Sequence, residues 1–141
     1  MLPDTDDDGL NDGLEISINI NPLSADSDGD GLNDTWEYVR SLEGYNYSPG
    51  NNDTDEDETL DGDEDLDSDG LTNLEEINDY GTNPLEEDTD GDTLWDGDEV
   101  KPWDIDKDGI NNQYNYPSNP NIPDTDDDGL SDLEEVTPSN D

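Results

Sequence analysis

Apolar side chains recur along this chain in a fixed two-point pattern. Leu10 is followed six residues later by Ile16, Leu32 by Tyr38, Leu71 by Ile77, Leu94 by Val100, Ile110 by Tyr116 and Leu130 by Val136. A third apolar residue falls between the two at Leu14, Trp36, Leu74, Tyr114 and Leu133. The pattern predicts one or two helical turns in each repeat, over Asn11–Ile18, Asn33–Leu42, Asn73–Asp79 and Asp132–Val136. Asn21-Pro22, Asn83-Pro84 and Asn119-Pro120 then bar further helix, because proline breaks a helix interior and pushes the residue before it toward extended backbone. Each repeat therefore owns a mini-core of about three side chains and touches mainly its neighbours, which is the logic of a repeat protein.

Composition sharpens the picture. The 141 residues carry 45 Asp and Glu against 3 Lys and Arg, a formal charge of −42, and only 25% are apolar. Ordinary domains are roughly 45–50% apolar, so a large single core is excluded. With no Cys, disulfides cannot replace that core. No apolar run approaches the roughly 18 residues that span a bilayer. The first residues, Met-Leu-Pro-Asp, have neither the basic nor the apolar region of a signal peptide. Nucleic acid and anionic membranes would be repelled by this charge. Composition alone predicts a disordered acidic chain.

The spacing of the acids argues otherwise. Asp-x-Asp-x-Asp-Gly-x5-Glu fits in full four times: Asp4, Asp6, Asp8, Gly9 and Glu15; Asp26, Asp28, Asp30, Gly31 and Glu37; Asp65, Asp67, Asp69, Gly70 and Glu76; Asp124, Asp126, Asp128, Gly129 and Glu135. Three more segments depart at one position each. Asp88, Asp90, Asp92 and Glu99 have Thr93 in place of glycine; Asp104, Asp106, Asp108 and Gly109 end on Asn115; Asp53, Asp55, Asp57 and Glu64 have Glu58 in place of glycine. This is the twelve-residue calcium loop of the EF-hand type. A hard divalent cation of that size takes roughly 6–8 oxygens, which acids at positions 1, 3 and 5 of a tight turn supply together. Position 7 offers its backbone carbonyl, here from Leu10, Leu32, Leu71, Leu94, Ile110 and Leu130. Position 9 contributes directly or through water from Asp12, Asp34, Asp61, Asn73, Asp96, Asn112 and Asp132, and position 12 closes the shell with two oxygens. Six or seven Ca2+ ions are expected. Magnesium prefers a near-ideal octahedron and keeps its water, and zinc is disfavoured where His and Cys are both absent.

Proline keeps the same register. Pro22, Pro49, Pro84 and Pro120 each lie four residues before a position 1, and Pro138 would place another at residue 142, so the chain is expected to be a segment of a longer array. Linkers this short and this rich in proline cannot hold the two flanking helices of a true EF-hand. The expected fold is mostly irregular with short helices: an elongated tandem array of EF-hand-like loops over residues 1–141, with a minimal core. Tyr38–Asn52 is longer and holds Arg40, Tyr45 and Tyr47; it reads as an extended helix and packed loop, or as a lateral contact patch. Lys101-Pro102-Trp103 reads as a cover over the junction between two close sites.

The repeat, and in particular Asp26-Ser-Asp-Gly-Asp-Gly-Leu-Asn-Asp34 and Gly81-Thr-Asn-Pro-Leu85 followed by Asp88-Thr-Asp90, resembles the bacterial and archaeal version of thrombospondin type 3 repeats, from Asp4 to Pro138. The resemblance implies a secreted or cell-surface protein in which calcium loops act as rigid spacers or stalks, and it carries the family's ligand positions onto the four full matches. Animal thrombospondins add cysteines between loops, and this chain has none. Dockerins share the loop but have two, with a recognition helix.

The expected function is a structural calcium-binding array outside the cell or at its surface, a spacer, stalk or filament segment. The alternative is a calcium-dependent assembly or adhesion module that self-associates or docks a partner through Tyr38–Tyr47 and Trp103. A sensor would need an amphipathic helix pair that opens an apolar groove. An enzyme is disfavoured, since His and Cys are absent and the carboxylates read as ligands.

Overall fold

In the computed structural model, which describes residues 3–100 and 118–136, every helical element opens at position 9 of its loop. Helix α1 spans Asp12–Ile18, α2 Asp34–Glu43, α3 Asp96–Val100 and α4 Asp132–Val136. A single 3-10 turn covers Asp61–Asp63, and a helical segment that begins at Asn73 runs on as a π-helix over Glu75–Tyr80. Irregular segments join these elements, and there is no strand among the described residues. The start point has a local cause. Asn11 and Asn33, at position 8, accept the backbone N–H of Leu14 and Thr35 and so cap α1 and α2. Acidic residues fill each first turn, where the helix dipole favours them. Left-handed residues end the helices, at Asn19 (φ 67°), Gly44 (φ 98°) and Gly81 (φ 72°).

The chain divides into two compact units, Met1–Glu64 and Asp65–Asp141. The first holds loops 4–15, 26–37 and 53–64; the second holds loops 65–76, 88–99 and 124–135. Loop 104–115, with Asp104, Asp106, Asp108, Ile110, Asn112 and Asn115, lies outside the described residues, as does Lys101-Pro102-Trp103. No helix among the described residues is long and apolar enough to cross a membrane.

The mini-core is smaller than the pattern predicts. Leu10, Leu32, Leu71 and Leu94 are buried, but Ile16 is 67% exposed, and Leu130 is exposed as well. Successive helical residues are rotated by about 100°. The position-12 glutamate turns inward, so the apolar residue after it turns away. What fills the interior instead is acid: Glu15, Asp34, Glu37, Asp61, Glu76 and Asp96 are each 0% exposed.

The Tyr38–Asn52 segment resolves into the end of α2 and a packed loop. Tyr47 is buried, meets Trp36 edge-on at 5.1 Å between ring centroids, and donates its hydroxyl to Glu64 at 2.8 Å. Arg40 lies 5.5 Å over the Trp36 ring and 3.1 Å from Glu43. Leu42 and Tyr45 stay exposed.

Candidate metal centres

Each loop is wound by its own aspartates. Position 1 accepts the N–H of position 6, as in Asp26 from Gly31 (3.1 Å), Asp53 from Glu58 (3.1 Å), Asp65 from Gly70 (3.0 Å), Asp88 from Thr93 (2.9 Å) and Asp124 from Gly129 (2.8 Å). Position 3 accepts from position 5, with Asp55 and Asp57 at 3.1 Å and Asp126 and Asp128 also at 3.1 Å. Position 5 accepts from position 7: Asp8 from Leu10 at 2.7 Å, Asp30 from Leu32 at 2.8 Å, Asp57 from Thr59 at 2.8 Å, Asp69 from Leu71 at 2.7 Å, Asp92 from Leu94 at 2.7 Å and Asp128 from Leu130 at 3.0 Å. At positions 3 and 5 the loop is braced through one carboxylate oxygen, leaving the other clear of its own N–H groups, whereas Asp26, Asp53, Asp88 and Asp124 at position 1 accept a loop N–H on each oxygen. The three aspartates converge all the same: Asp4, Asp6 and Asp8 each bring one carboxylate oxygen within 4.8 Å of the others, as do Asp26, Asp28 and Asp30, and Asp53, Asp55 and Asp57.

The backbone demands a left-handed residue at position 6, with φ of 107° at Gly9 and 97° at Gly129. Thr93 (φ 81°) and Glu58 (φ 77°) take the same conformation, so both loops keep the turn despite losing the glycine, at about 1–2 kcal/mol each. Position 4 is left-handed too, at Asp7, Gly29, Glu56, Ser68, Gly91 and Asp127. Of these only Gly29 and Gly91 signal it in the sequence.

Position 12 carries the strongest sign of a cation. Glu15 and Glu37 are fully buried, and neither carboxylate oxygen of either meets a hydrogen-bond donor. Asp4 Oδ1, Asp6 Oδ2 and Asp8 Oδ2 are likewise buried without a donor in loop 4–15, as are Asp28 Oδ2 and Asp30 Oδ2 in loop 26–37. In the second unit the same holds for Asp67 Oδ2, Glu76 Oε2 and Asp90 Oδ2. A buried polar atom without a partner costs about 1–3 kcal/mol, and more when charged. Arg40 is the only cationic side chain among the described residues, and it is engaged with Glu43. Burial, reinforced by neighbouring carboxylates, accordingly pushes Glu37 up to about 9, Glu76 to about 8, and Glu15 to about 6. Glu99 rises to about 8 from burial and the charges of Asp90, Asp92 and Asp132, against a lowering contribution from Ser118. The donor set is all oxygen, anionic and preformed, which suits a hard divalent cation.

Position 9 has a partner the spacing alone did not reveal. The residue at position 2 gives both its N–H and its hydroxyl to that aspartate: Thr5 to Asp12 (2.9 and 2.9 Å), Ser27 to Asp34 (2.8 and 2.7 Å), Thr54 to Asp61 (2.8 and 2.7 Å), Thr89 to Asp96 (2.9 and 2.6 Å) and Thr125 to Asp132 (3.0 and 2.8 Å). Where position 2 is apolar, at Leu66 and Ile105, position 9 is an amide, Asn73 and Asn112. The same hydroxyls accept the linker N–H of Asn21 (2.9 Å), Asn83 (3.0 Å) and Asn119 (2.8 Å). That tie explains why the Asn-Pro pair keeps register with the loops.

Loops contact one another through position 10. Thr35 donates its hydroxyl to the Asp8 carbonyl at 2.9 Å, the Gly97 N–H reaches Asp69 at 2.9 Å, and the Leu133 N–H reaches Asp92 at 3.0 Å. In the second unit, loop 124–135 thus docks directly on loop 88–99. A Cβ at Gly97 would run into the Asp69 carbonyl. Gly97→Ala is therefore expected to destabilise the second unit by about 1–3 kcal/mol; an unchanged thermal midpoint in saturating calcium would contradict this packing.

No protein-family model, curated protein or solved structure matches the chain.

Proposed function

We propose that this chain is a structural calcium-binding repeat protein: a tandem array of EF-hand-like loops without paired helices, folded by its ions and serving as a rigid spacer, stalk or filament segment outside the cell or at its surface. The observation that carries the reading is the buried glutamate at position 12. Glu15 and Glu37 have no donor on either oxygen and face the position-5 aspartates of their loops. A divalent cation is the partner that removes this penalty at both loops at once. Calcium fits better than magnesium, because the two oxygens of the glutamate and the carboxylates at positions 1, 3 and 5 exceed what a hydrated octahedral ion takes from protein. Seven divalent ions supply fourteen positive charges, which would leave −28 of the −42. That residual charge keeps neighbouring rods apart and in solution. Sites of about 10⁻⁴–10⁻³ M suffice for extracellular modules. The described helices, at most ten residues long, would serve as corner pieces between ion sites.

Native mass spectrometry of the full chain under titrated calcium tests the reading. Six or seven bound ions are expected below about millimolar free calcium, with magnesium displaced. A chain that binds one ion or none, or binds magnesium equally well, would sink it.

A further inference from the structure

We infer that these calcium sites are built across consecutive loops: the aspartate at position 9 of one loop ligates the ion of the loop before it. The inference rests on the calcium reading above and adds to it a direction of coupling between sites.

The geometry is clearest in the first unit. Asp8 and Glu15 of loop 4–15 share a triad with Asp34 of loop 26–37, their oxygens all within 4.8 Å of one another. Asp30 and Glu37 of loop 26–37 share the equivalent triad with Asp61 of loop 53–64. Asp34 and Asp61 are fully buried, and the glutamates they face have no donor on either oxygen. Asp34 is clamped from behind by the N–H and hydroxyl of Ser27, and Asp61 by those of Thr54. Each donor takes one lone pair, and a carboxylate has about four, so the clamped group still has oxygen lone pairs to offer forward. Carboxylates crowded this closely repel one another strongly unless a cation lies between them.

In the second unit Gly97, the neighbour of Asp96, donates to Asp69 of the loop before it. Leu133, the neighbour of Asp132, donates to Asp92 of loop 88–99, two loops earlier in the chain. Burial follows the same rule. Glu15, Glu37, Glu76 and Glu99, whose loops are followed by another within the unit, are buried, whereas Glu64 is half-buried and Glu135 exposed in the last described loop of each unit. Filling one loop therefore fixes the clamp that presents its position-9 aspartate backward, and the earlier site gains affinity.

The test is a calcium titration of the full chain followed by NMR, with the amide resonances of Gly9 and Gly31 as reporters of loops 4–15 and 26–37. In Asp34→Asn the Gly9 half-point is expected to rise about tenfold or more, with the Gly31 half-point moving about twofold or less. Ser27→Ala keeps the carboxylate and loosens its clamp, and a smaller rise confined to Gly9 is expected. This second variant decides the matter if Asp34→Asn does not fold. A shift at Gly31 alone, equal shifts at both reporters, or no shift at either would overturn the inference and leave the calcium reading standing. A wild-type chain whose reporters ignore calcium would overturn both.

Discussion

Removing calcium with excess chelator at pH 7.4 is expected to abolish the helical circular-dichroism signal and the hydrogen-exchange protection of the Leu32 and Leu71 amides. Restoring calcium to about millimolar, the range of extracellular modules, should recover both. The expectation follows from what lies inside. The helices span 7, 10, 5 and 5 residues, and helices shorter than about 12–15 residues are marginal in water. Tertiary packing must hold them, yet among the described residues the buried apolar side chains are only Leu10, Leu32, Tyr47, Leu71 and Leu94. The other buried side chains are mostly carboxylates that repel one another. Without ions such an interior opposes the fold; if the sites hold calcium as proposed, ion binding would supply the energy that orders the loops, and folding and binding would be one event. Retained helix signal and slow exchange of both amides in chelator would remove the ion from its structural role.

The loops themselves were legible because their chemistry is written in local spacing. Acids two residues apart brace their own turn and converge, and glycine at position 6 marks a left-handed residue. The starts of α1, α2 and α4 are legible from the apolar residue at position 7 and the polar residue after it, and α3 at Asp96–Val100 and the 3-10 turn at Asp61–Asp63 are the short turns expected after their loops. What spacing could not give is which atoms two loops share. Asp34 looks like a ligand of loop 26–37 when counted along the chain, yet its carboxylate is clamped by Ser27 and lies against Asp8 and Glu15. One signal was available in the sequence: Ser or Thr at position 2 always accompanies Asp at position 9, and Leu66 and Ile105 accompany Asn73 and Asn112. Burial was also misjudged in kind. The pattern places Ile16 in a mini-core, whereas helix geometry gives the inward direction to Glu15. Where the buried side chains are mostly carboxylates, the hydrophobic pattern marks the edges of the acidic clusters more than a core.

Acidifying the calcium-stripped chain is expected to stabilise its folded form, the reverse of ordinary acid denaturation. Glu37 is pushed up to about 9, and Glu76 and Glu99 to about 8, by burial and the carboxylates around them. A carboxyl in the unfolded chain titrates near 4.3, so between that value and 8 or 9 the folded form holds more protons than the unfolded one. Stability then falls as pH rises through that window, and it is fully present only below the unfolded pKa. The general relief of charge repulsion has the same sign, but ordinary carboxylates have finished titrating by about pH 6. The interval from pH 6 to 9 therefore isolates the buried glutamates. The helical signal of the stripped chain, absent at pH 7.4, should therefore return as pH falls toward 6, and Glu37→Gln, Glu76→Gln and Glu99→Gln combined should flatten that pH dependence. Calcium reverses the slope, because the ion needs the same groups deprotonated: the loaded protein should gain stability from pH 5 to pH 7. A stripped chain whose helical signal stays level or falls as pH drops from 9 to 6 would mean that these glutamates are ionised, and outside the sites, before any ion arrives.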